Sequence, residues 1–135
     1  IDLQLIPYYN RIVNLCFYLE RNPDVKFIEN LEKLMDDPNI KGYKTSEYNQ
    51  TRWRIYGANL ELLLAVAAIR CGSMKGTECL ISYLEDIHSN FRNFSRNELC
   101  SVYGKDGGYD RAAWRKLVKD KKSLKVSPLK KSIEV

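Results

Sequence analysis

Apolar residues recur every three or four positions along most of this chain, and no stretch alternates strictly between apolar and polar residues as a half-exposed strand does. The pattern predicts a helix over residues 7–21, beginning at Pro7, because the missing N–H of proline is harmless in a first helical turn. A second helix is expected to begin with a cap at Asn22 and to end at the "DDPN" stretch. These two helices would form a hairpin.

The middle of the chain predicts one long helix, from a cap at Ser46 to about residue 70, with Gly72 as its stop. Its second half, residues 56–69, is apolar on nearly every side, which is typical of a helix surrounded by others. We therefore expect this helix to form the centre of the core.

Three further helices are expected in the last half of the chain. One begins near Thr77 and carries an apolar stripe that reaches Phe91. The "SRNE" stretch has the spacing of a capping box, which predicts a helix start at Ser95. After the glycine-rich "GKDGG", Asp110 is the expected cap of a last helix.

The expected fold is all-α, a single compact domain of five to seven helices around a central buried helix. We assign residues 1–119 to the helical domain and residues 120–135 to a flexible basic tail, because periodicity is lost there and Pro128 forbids helix. A length of 135 residues, with 44% hydrophobic and 29% charged residues, is typical of one ordinary globular domain.

Membrane and secretory segments are not expected. The longest apolar run, "LLLAVAAI", has eight residues, far fewer than the roughly 20 that span a bilayer. The N-terminal "IDLQLIPYY" lacks a basic region leading into an apolar run, so we expect no signal peptide. The four scattered cysteines favour reduced thiols, and hence an intracellular protein.

Positive charge is concentrated at the C-terminal end. Residues 1–110 hold 13 Lys and Arg against 15 Asp and Glu, a net charge of −2, whereas residues 111–135 hold 9 against 2, a net charge of +7. On the last predicted helix, a stripe of cations lies on a different side from Trp114 and Leu117. This helix would dock through its apolar side and present the cations to a phosphate backbone. The alternative interpretation is a solvated surface followed by a tail without a partner.

Cations also lie beside aromatic residues in "RWRIY" and "FRNFSR", where they would stack on unpaired bases, unless the aromatic rings pack inward. The candidate nucleic-acid-binding residues are Arg111, Arg115, Lys116, Lys119, Lys121, Lys122, Arg52, Arg54, Arg92 and Arg96. The "SPLK" sequence at Ser127 is typical of a proline-directed phosphorylation site. Phosphorylation there would add roughly −1.5 to −2 charge to the basic end.

Catalytic and metal sites have little support. His88 is the only histidine, and its i, i+3 spacing from Glu85 matches di-iron bundles only if a second such unit exists. No C-x-x-C pair suggests zinc, and "GKDGG" lacks the lysine position of a phosphate-binding loop. We therefore predict no catalytic residue, metal or cofactor.

The leading functional hypothesis is a non-enzymatic module that binds nucleic acid, RNA included, or another polyanion such as an acidic protein surface. Basic runs of this kind also serve in nuclear import, which makes the nucleus a candidate location. The alternative is a protein-interaction or oligomerisation domain of a larger protein, which exposed aromatic rings at Tyr8, Tyr9 or Trp53 would favour. A small-molecule enzyme is a third and weaker hypothesis.

Overall fold

The computed structural model describes residues 5–37, 52–119 and 124–129, with side chains described from Tyr9 in the first helix and from Asn59 in the third. All regular structure in these residues is helical. The all-α fold class is therefore confirmed, and the domain has one hydrophobic core. The elements are α1 (Leu5–Arg21), a turn of 3-10 helix (Val25–Phe27), α2 (Ile28–Met35), α3 (Arg52–Cys71), α4 (Met74–Ser82), α5 (Ser89–Tyr103) and α6 (Arg111–Val118).

The second half of α3 is almost entirely buried. In residues 60–71 every side chain except Leu63 is shielded from solvent. Helices α1, α2, α4 and α5 all contact α3. Because α3 has neighbours on several sides, it has no polar face over this stretch, which explains why its sequence is apolar apart from Glu61 and Arg70. The expected start at Ser46 lies outside the described residues.

Two of the expected helix ends are confirmed. Gly72 follows α3 with a φ of 107°, a conformation that favours glycine. Asp110 caps α6, since its Oδ1 accepts a hydrogen bond of 2.9 Å from the backbone N–H of Ala112. In both cases the residue type itself favours the helix boundary, the end of α3 at Gly72 and the start of α6 after Asp110.

The expected cap at Asn22 is wrong. The backbone N–H and the side-chain amide of Asn22 both donate to the carbonyl of Tyr18, at 2.9 and 3.1 Å, so Asn22 completes the end of α1. Asp24 is the cap of the following 3-10 turn, because its Oδ1 accepts from the N–H of Lys26 at 3.0 Å. Asparagine and aspartate both cap well, and the path of the chain decides between them.

The expected continuous helix through residues 77–91 is also wrong. Helix α4 ends at Ser82, and the chain turns through residues 83–88 before α5 begins at Ser89. The buried carboxylate of Asp86 accepts from the N–H of His88 at 2.9 Å, and the backbone carbonyl of Asp86 accepts from Nη1 of Arg92 at 2.7 Å. Apolar residues on both sides of this turn still reach the core, and for this reason the apolar spacing does not reveal the break.

Ser95 does not begin a helix. It lies inside α5 and is fully buried, and its hydroxyl has no hydrogen-bond partner among the described residues. The N-cap of α5 is His88. A capping box requires the serine itself to have non-helical backbone, and Ser95 lies inside α5, so this condition is not met.

Helices α3 and α4 come closest at Gly76. A Cβ atom on Gly76 would lie 2.7 Å from the carbonyl oxygen of Ala65 and 2.8 Å from the backbone nitrogen of Ile69. These contacts are with backbone, which has little freedom to move aside. A side chain at position 76 therefore requires the two helices to separate.

We expect Gly76→Ala to lower the free energy of unfolding by about 1–3 kcal/mol, because the added methyl group overpacks the contact between α3 and α4. In an unobstructed helix the same change stabilises by roughly 0.5–1 kcal/mol, so the sign of the effect identifies its cause. Urea unfolding followed by circular dichroism measures this free energy. The control Asn97→Ala, at an exposed position of α5, should stay within about 0.5 kcal/mol of the original protein. Equal or higher stability of Gly76→Ala would contradict the close approach.

Candidate functional site

Helix α6 carries the basic end of the domain and packs against α4. Its apolar side consists of Trp114 and Val118, which are buried, whereas Leu117, expected on this side, is 38% exposed. The indole Nε1 of Trp114 donates to the carbonyl of Gly108 at 2.7 Å, and a Cβ atom on Gly107 would meet the indole ring at 2.8 Å. The glycine-rich segment before α6 therefore provides the space in which Trp114 packs.

The arginines of the expected basic stripe face acidic residues. Nη2 of Arg111 lies 3.1 Å from Oε1 of Glu85, and Nε of Arg115 lies 3.5 Å from Oε1 of Glu78. These pairs are about half exposed, so each contributes at most about 1 kcal/mol to stability. They nevertheless place a negative charge beside each arginine, which reduces the local attraction for a polyanion.

The lysines of α6 differ from its arginines. Lys116 and Lys119 are exposed and form no ion pair with any residue that the structure describes. Lys121 and Lys122 lie outside the described residues. Among the described residues of α6 and its C-cap, Lys116 and Lys119 therefore carry the positive charge that no acidic side chain offsets.

The two candidate arginines of α5 make contacts within the domain. Arg92 donates to the carbonyl of Asp86 in the turn before α5. Arg96 binds Asp106 through Nε at 3.0 Å and through Nη2, and its guanidinium lies 4.9 Å from the ring centre of Tyr109. The Arg96 guanidinium, together with the N–H of Gly108, holds the pKa of Asp106 well below its usual range. For Arg52 and Arg54, the side chains lie outside the described residues.

Residues 124–129, called the strap below, run back across the ends of α1 and α3. The N–H of Ser127 donates to the carbonyl of Arg70 at 2.8 Å, and the N–H of Leu129 donates to the carbonyl of Glu20 at 2.6 Å. Leu124 packs against the core, and its carbonyl oxygen lies 2.9 Å from the place that a Cβ atom would take on Gly72. The prediction of a flexible tail over residues 120–135 did not anticipate these contacts. The rest of that tail, residues 120–123 and 130–135, lies outside the described residues.

Arg70 lies beneath the strap and is 3% exposed. Its Nε donates to Oε1 of Glu98 at 2.6 Å, and its Nη2 donates to the hydroxyl of Ser101 at 3.0 Å. Its Nη1 reaches the carbonyl of Ser127 at 3.2 Å and the hydroxyl at 3.3 Å. Buried charges are stable only when paired and hydrogen-bonded, and all three nitrogens of this guanidinium meet that condition. The sequence analysis did not single out Arg70, although a single arginine at the end of a long apolar run is a signal by which this site could have been found.

Glu20 is a further buried acid, and it lies beside the group of Arg70, Glu98, Ser101 and Ser127, which we call the cluster below. Its side chain is largely shielded from solvent. Burial, and then the negative charge of Glu98, raise the pKa of Glu20 from 4.5 to about 7, while Arg21 and Arg70 act in the opposite direction. Near neutral pH the cluster therefore holds the Arg70–Glu98 ion pair and a Glu20 carboxyl that is only partly ionised.

A cavity of about 480 Å³ lies on another part of the domain, beside His88. Nδ1 of His88 lies 3.3 Å from the buried carboxylate of Asp86, which orients the ring. No group of three or more His, Cys, Asp or Glu residues suited to a metal ion occurs in the described part of the chain. The described lining residues are Tyr9, Asn59, Leu62, Leu63, His88, Asn90, Phe91 and Phe94.

The fold and these surfaces define an all-α domain with an exposed lysine pair at one end and a buried charged cluster under the strap. No helix within the described ranges is both long enough and apolar enough to cross a membrane. Comparison of the chain with protein-family models, curated proteins and solved structures found no match. A functional proposal must therefore come from the chemistry of the surfaces themselves.

We expect Glu20→Gln to make the fold more stable than the original protein at pH 8, by about 1–3 kcal/mol, and equally stable near pH 4. The native state keeps the Glu20 proton up to about pH 7, whereas the unfolded chain loses it near 4.5. The stabilisation that comes from this proton is thus fully present below about pH 4.5 and is lost as the pH rises through about 7. Glutamine removes this dependence because it stays neutral.

Urea unfolding at several pH values between 4 and 8 measures the effect. Glu29→Gln is the matched control, because Glu29 is 80% exposed and pairs only with Lys33 among the described residues. Its stability curve should run parallel to that of the original protein. A parallel curve for Glu20→Gln as well would contradict the raised pKa of Glu20.

Proposed function

We propose that this domain is a non-enzymatic binding module whose lysine-rich C-terminal end contacts a polyanion, with nucleic acid as the first candidate. The observation that carries the proposal is the net charge of +7 over residues 111–135, combined with the exposure of Lys116 and Lys119 without ion pairs among the described residues. Phosphate groups attract such lysines and release bound counterions, which gives binding that weakens steeply with salt.

The surroundings of α6 change which residues we propose as contacts. Arg111 and Arg115 lie beside Glu85 and Glu78, so lysines carry the proposed contacts. Lysine acts as a point charge, whereas arginine recognises guanine and phosphate through two parallel hydrogen bonds. A lysine surface therefore favours contact with the phosphate backbone and limited sequence preference.

We expect Lys116→Ala/Lys119→Ala to weaken binding of labelled DNA and RNA oligonucleotides and to lower the log–log salt slope by about 2, since each phosphate contact contributes about 0.9 in duplex DNA. Fluorescence anisotropy across a salt series measures both quantities. Lys26→Ala/Lys33→Ala is the matched control, because it removes the same charge from two exposed lysines near the other end of the chain.

The control should leave the salt slope unchanged. An equal loss in both double variants would show that only net charge matters, and absence of binding by the intact protein at low salt would refute the proposal. Substitutions are preferable to truncation at residue 119, because truncation also removes the contacts of Ser127 with Arg70 and of Leu129 with Glu20.

A self-association domain is the second candidate, and it is favoured by exposed aromatic rings on α1. Phe17 and Tyr18 are neighbours in the sequence and are 46% and 60% exposed. Large exposed rings are enriched at protein interfaces. Of the aromatic residues named from the sequence, Tyr9 is half-buried at the cavity, and the side chains of Tyr8 and Trp53 lie outside the described residues.

If the domain self-associates, its mass in solution rises with concentration. The double variant Phe17→Ala/Tyr18→Ala should then have the mass of a monomer, because the interface loses its aromatic rings. Sedimentation velocity measures the mass. Ile87→Ala/Leu117→Ala removes two other exposed apolar side chains and should leave association unchanged. A domain that stays monomeric at every concentration would refute self-association.

A further inference from the structure

Ser127 meets Arg70 through both its backbone and its side chain. Its N–H donates to the Arg70 carbonyl at 2.8 Å. The Arg70 guanidinium in turn donates to the carbonyl of Ser127 at 3.2 Å and to its hydroxyl at 3.3 Å. The hydroxyl of Ser127 is thus one of the hydrogen-bond acceptors of the buried Arg70 guanidinium. A chemical change at this oxygen therefore directly affects the hydrogen bonds that hold the strap to Arg70.

The sequence around Ser127 suits recognition by a kinase. Pro128 follows it and is exposed, and Lys130 stands three positions after Ser127. Proline lacks an N–H and disfavours helix, and residues 124–129 have no regular secondary structure. Proline-directed protein kinases act on serine followed by proline in a segment that is not helical.

We propose that Ser127 is a phosphorylation site and that its phosphorylation releases the strap from Arg70. The Ser127 hydroxyl oxygen attacks the γ-phosphorus of ATP bound to a proline-directed kinase. A new P–O bond forms as the bond to ADP breaks, and the hydroxyl proton passes to a base of the kinase. The products are phosphoserine and ADP.

Release follows from the charges already present around the site. The Glu98 carboxylate lies 2.6 Å from Nε of Arg70, and the partly ionised Glu20 lies close by. The cluster therefore has no unmatched positive charge. A phosphate would bring roughly −1.5 to −2 further charge into a half-buried position, at the cost of its own hydration.

The released state leaves the domain folded. Arg70 keeps its hydrogen bonds to Glu98 and Ser101, and neither depends on the strap. The phosphate stays in water, where it is fully hydrated. This inference is independent of polyanion binding, because its consequences are measured within the chain itself.

Amide hydrogen exchange of the full chain tests the release. Phosphoserine is introduced at position 127 by expanded-code translation, and the exchange of the Ser127 and Leu129 amides is followed by NMR. We expect both amides to exchange at least about tenfold faster in the phosphorylated protein, because local opening exposes them. Ser127→Ala should retain slow exchange, since its backbone hydrogen bonds remain. Unchanged or slower exchange after phosphorylation, which indicates an Arg70–phosphate pair, would overturn the proposal.

Glu98→Gln separates charge competition from general loss of the fold. In this variant Arg70 lacks its carboxylate partner and is free to pair with the phosphate, so phosphorylation should no longer speed the exchange of the Leu129 amide. Amides within α3 report that the domain remains folded in each sample. Equal opening in Glu98→Gln and in the original protein would contradict the electrostatic cause.

The kinase reaction itself is tested with a purified proline-directed kinase and ATP. Mass spectrometry should find one phosphate on Ser127 in the full chain and none at this position in Ser127→Ala. A free peptide covering residues 120–135 should react faster, because its serine is not bound to Arg70. Failure of the full chain to react under conditions in which the peptide is phosphorylated would overturn the assignment of Ser127 as a site.

Discussion

The arrangement of this domain depends on the need to satisfy a guanidinium that is buried at the end of α3. Arg70 binds partners that are 28, 31 and 57 residues away in the sequence, so a single side chain joins α3, α5 and the strap. Breaking such a buried pair by removing one partner commonly costs about 3–5 kcal/mol, because the remaining charge is left uncompensated. The same requirement brings Glu98 close to Glu20, and the negative charge of Glu98 adds to the effect of burial, which is the larger cause of the raised pKa of Glu20. The position of the strap and part of the pKa shift of Glu20 therefore depend on the same group of residues.

Most of the fold could be predicted from the sequence, because helices depend on local spacing. The apolar periodicity identified α1, α3 and α6, and the special chemistry of Gly72 and Asp110 marked ends that the structure has. The turn between α4 and α5 was missed, since apolar residues before and after it both reach the core. Periodicity reports which residues are buried, and it does not report whether the backbone between them is continuous.

Less of the candidate site could be predicted, because a charged surface depends on residues that are distant in the sequence. The stripe that contains Arg111 and Arg115 was counted along one helix, whereas Glu78 and Glu85 belong to α4 and the turn after it. The strap lacks periodicity and offered no local signal of its contacts. Arg70 did carry a signal, since an arginine that ends an apolar helix must find partners if it is buried, but the sequence does not name those partners.

The strap also determines how the positive charge is distributed. Four residues lie between Lys119 and Leu124 in the sequence, and the N–H of Leu129 is bound to the carbonyl of Glu20. The described, exposed lysines of the basic end are therefore divided between Lys116 and Lys119, at the end of α6, and Lys125, on the strap. While the strap is bound, both groups are held on the folded domain. A single polyanion that contacts both groups must then match their separation, whereas release of the strap would free Lys125 from that restriction.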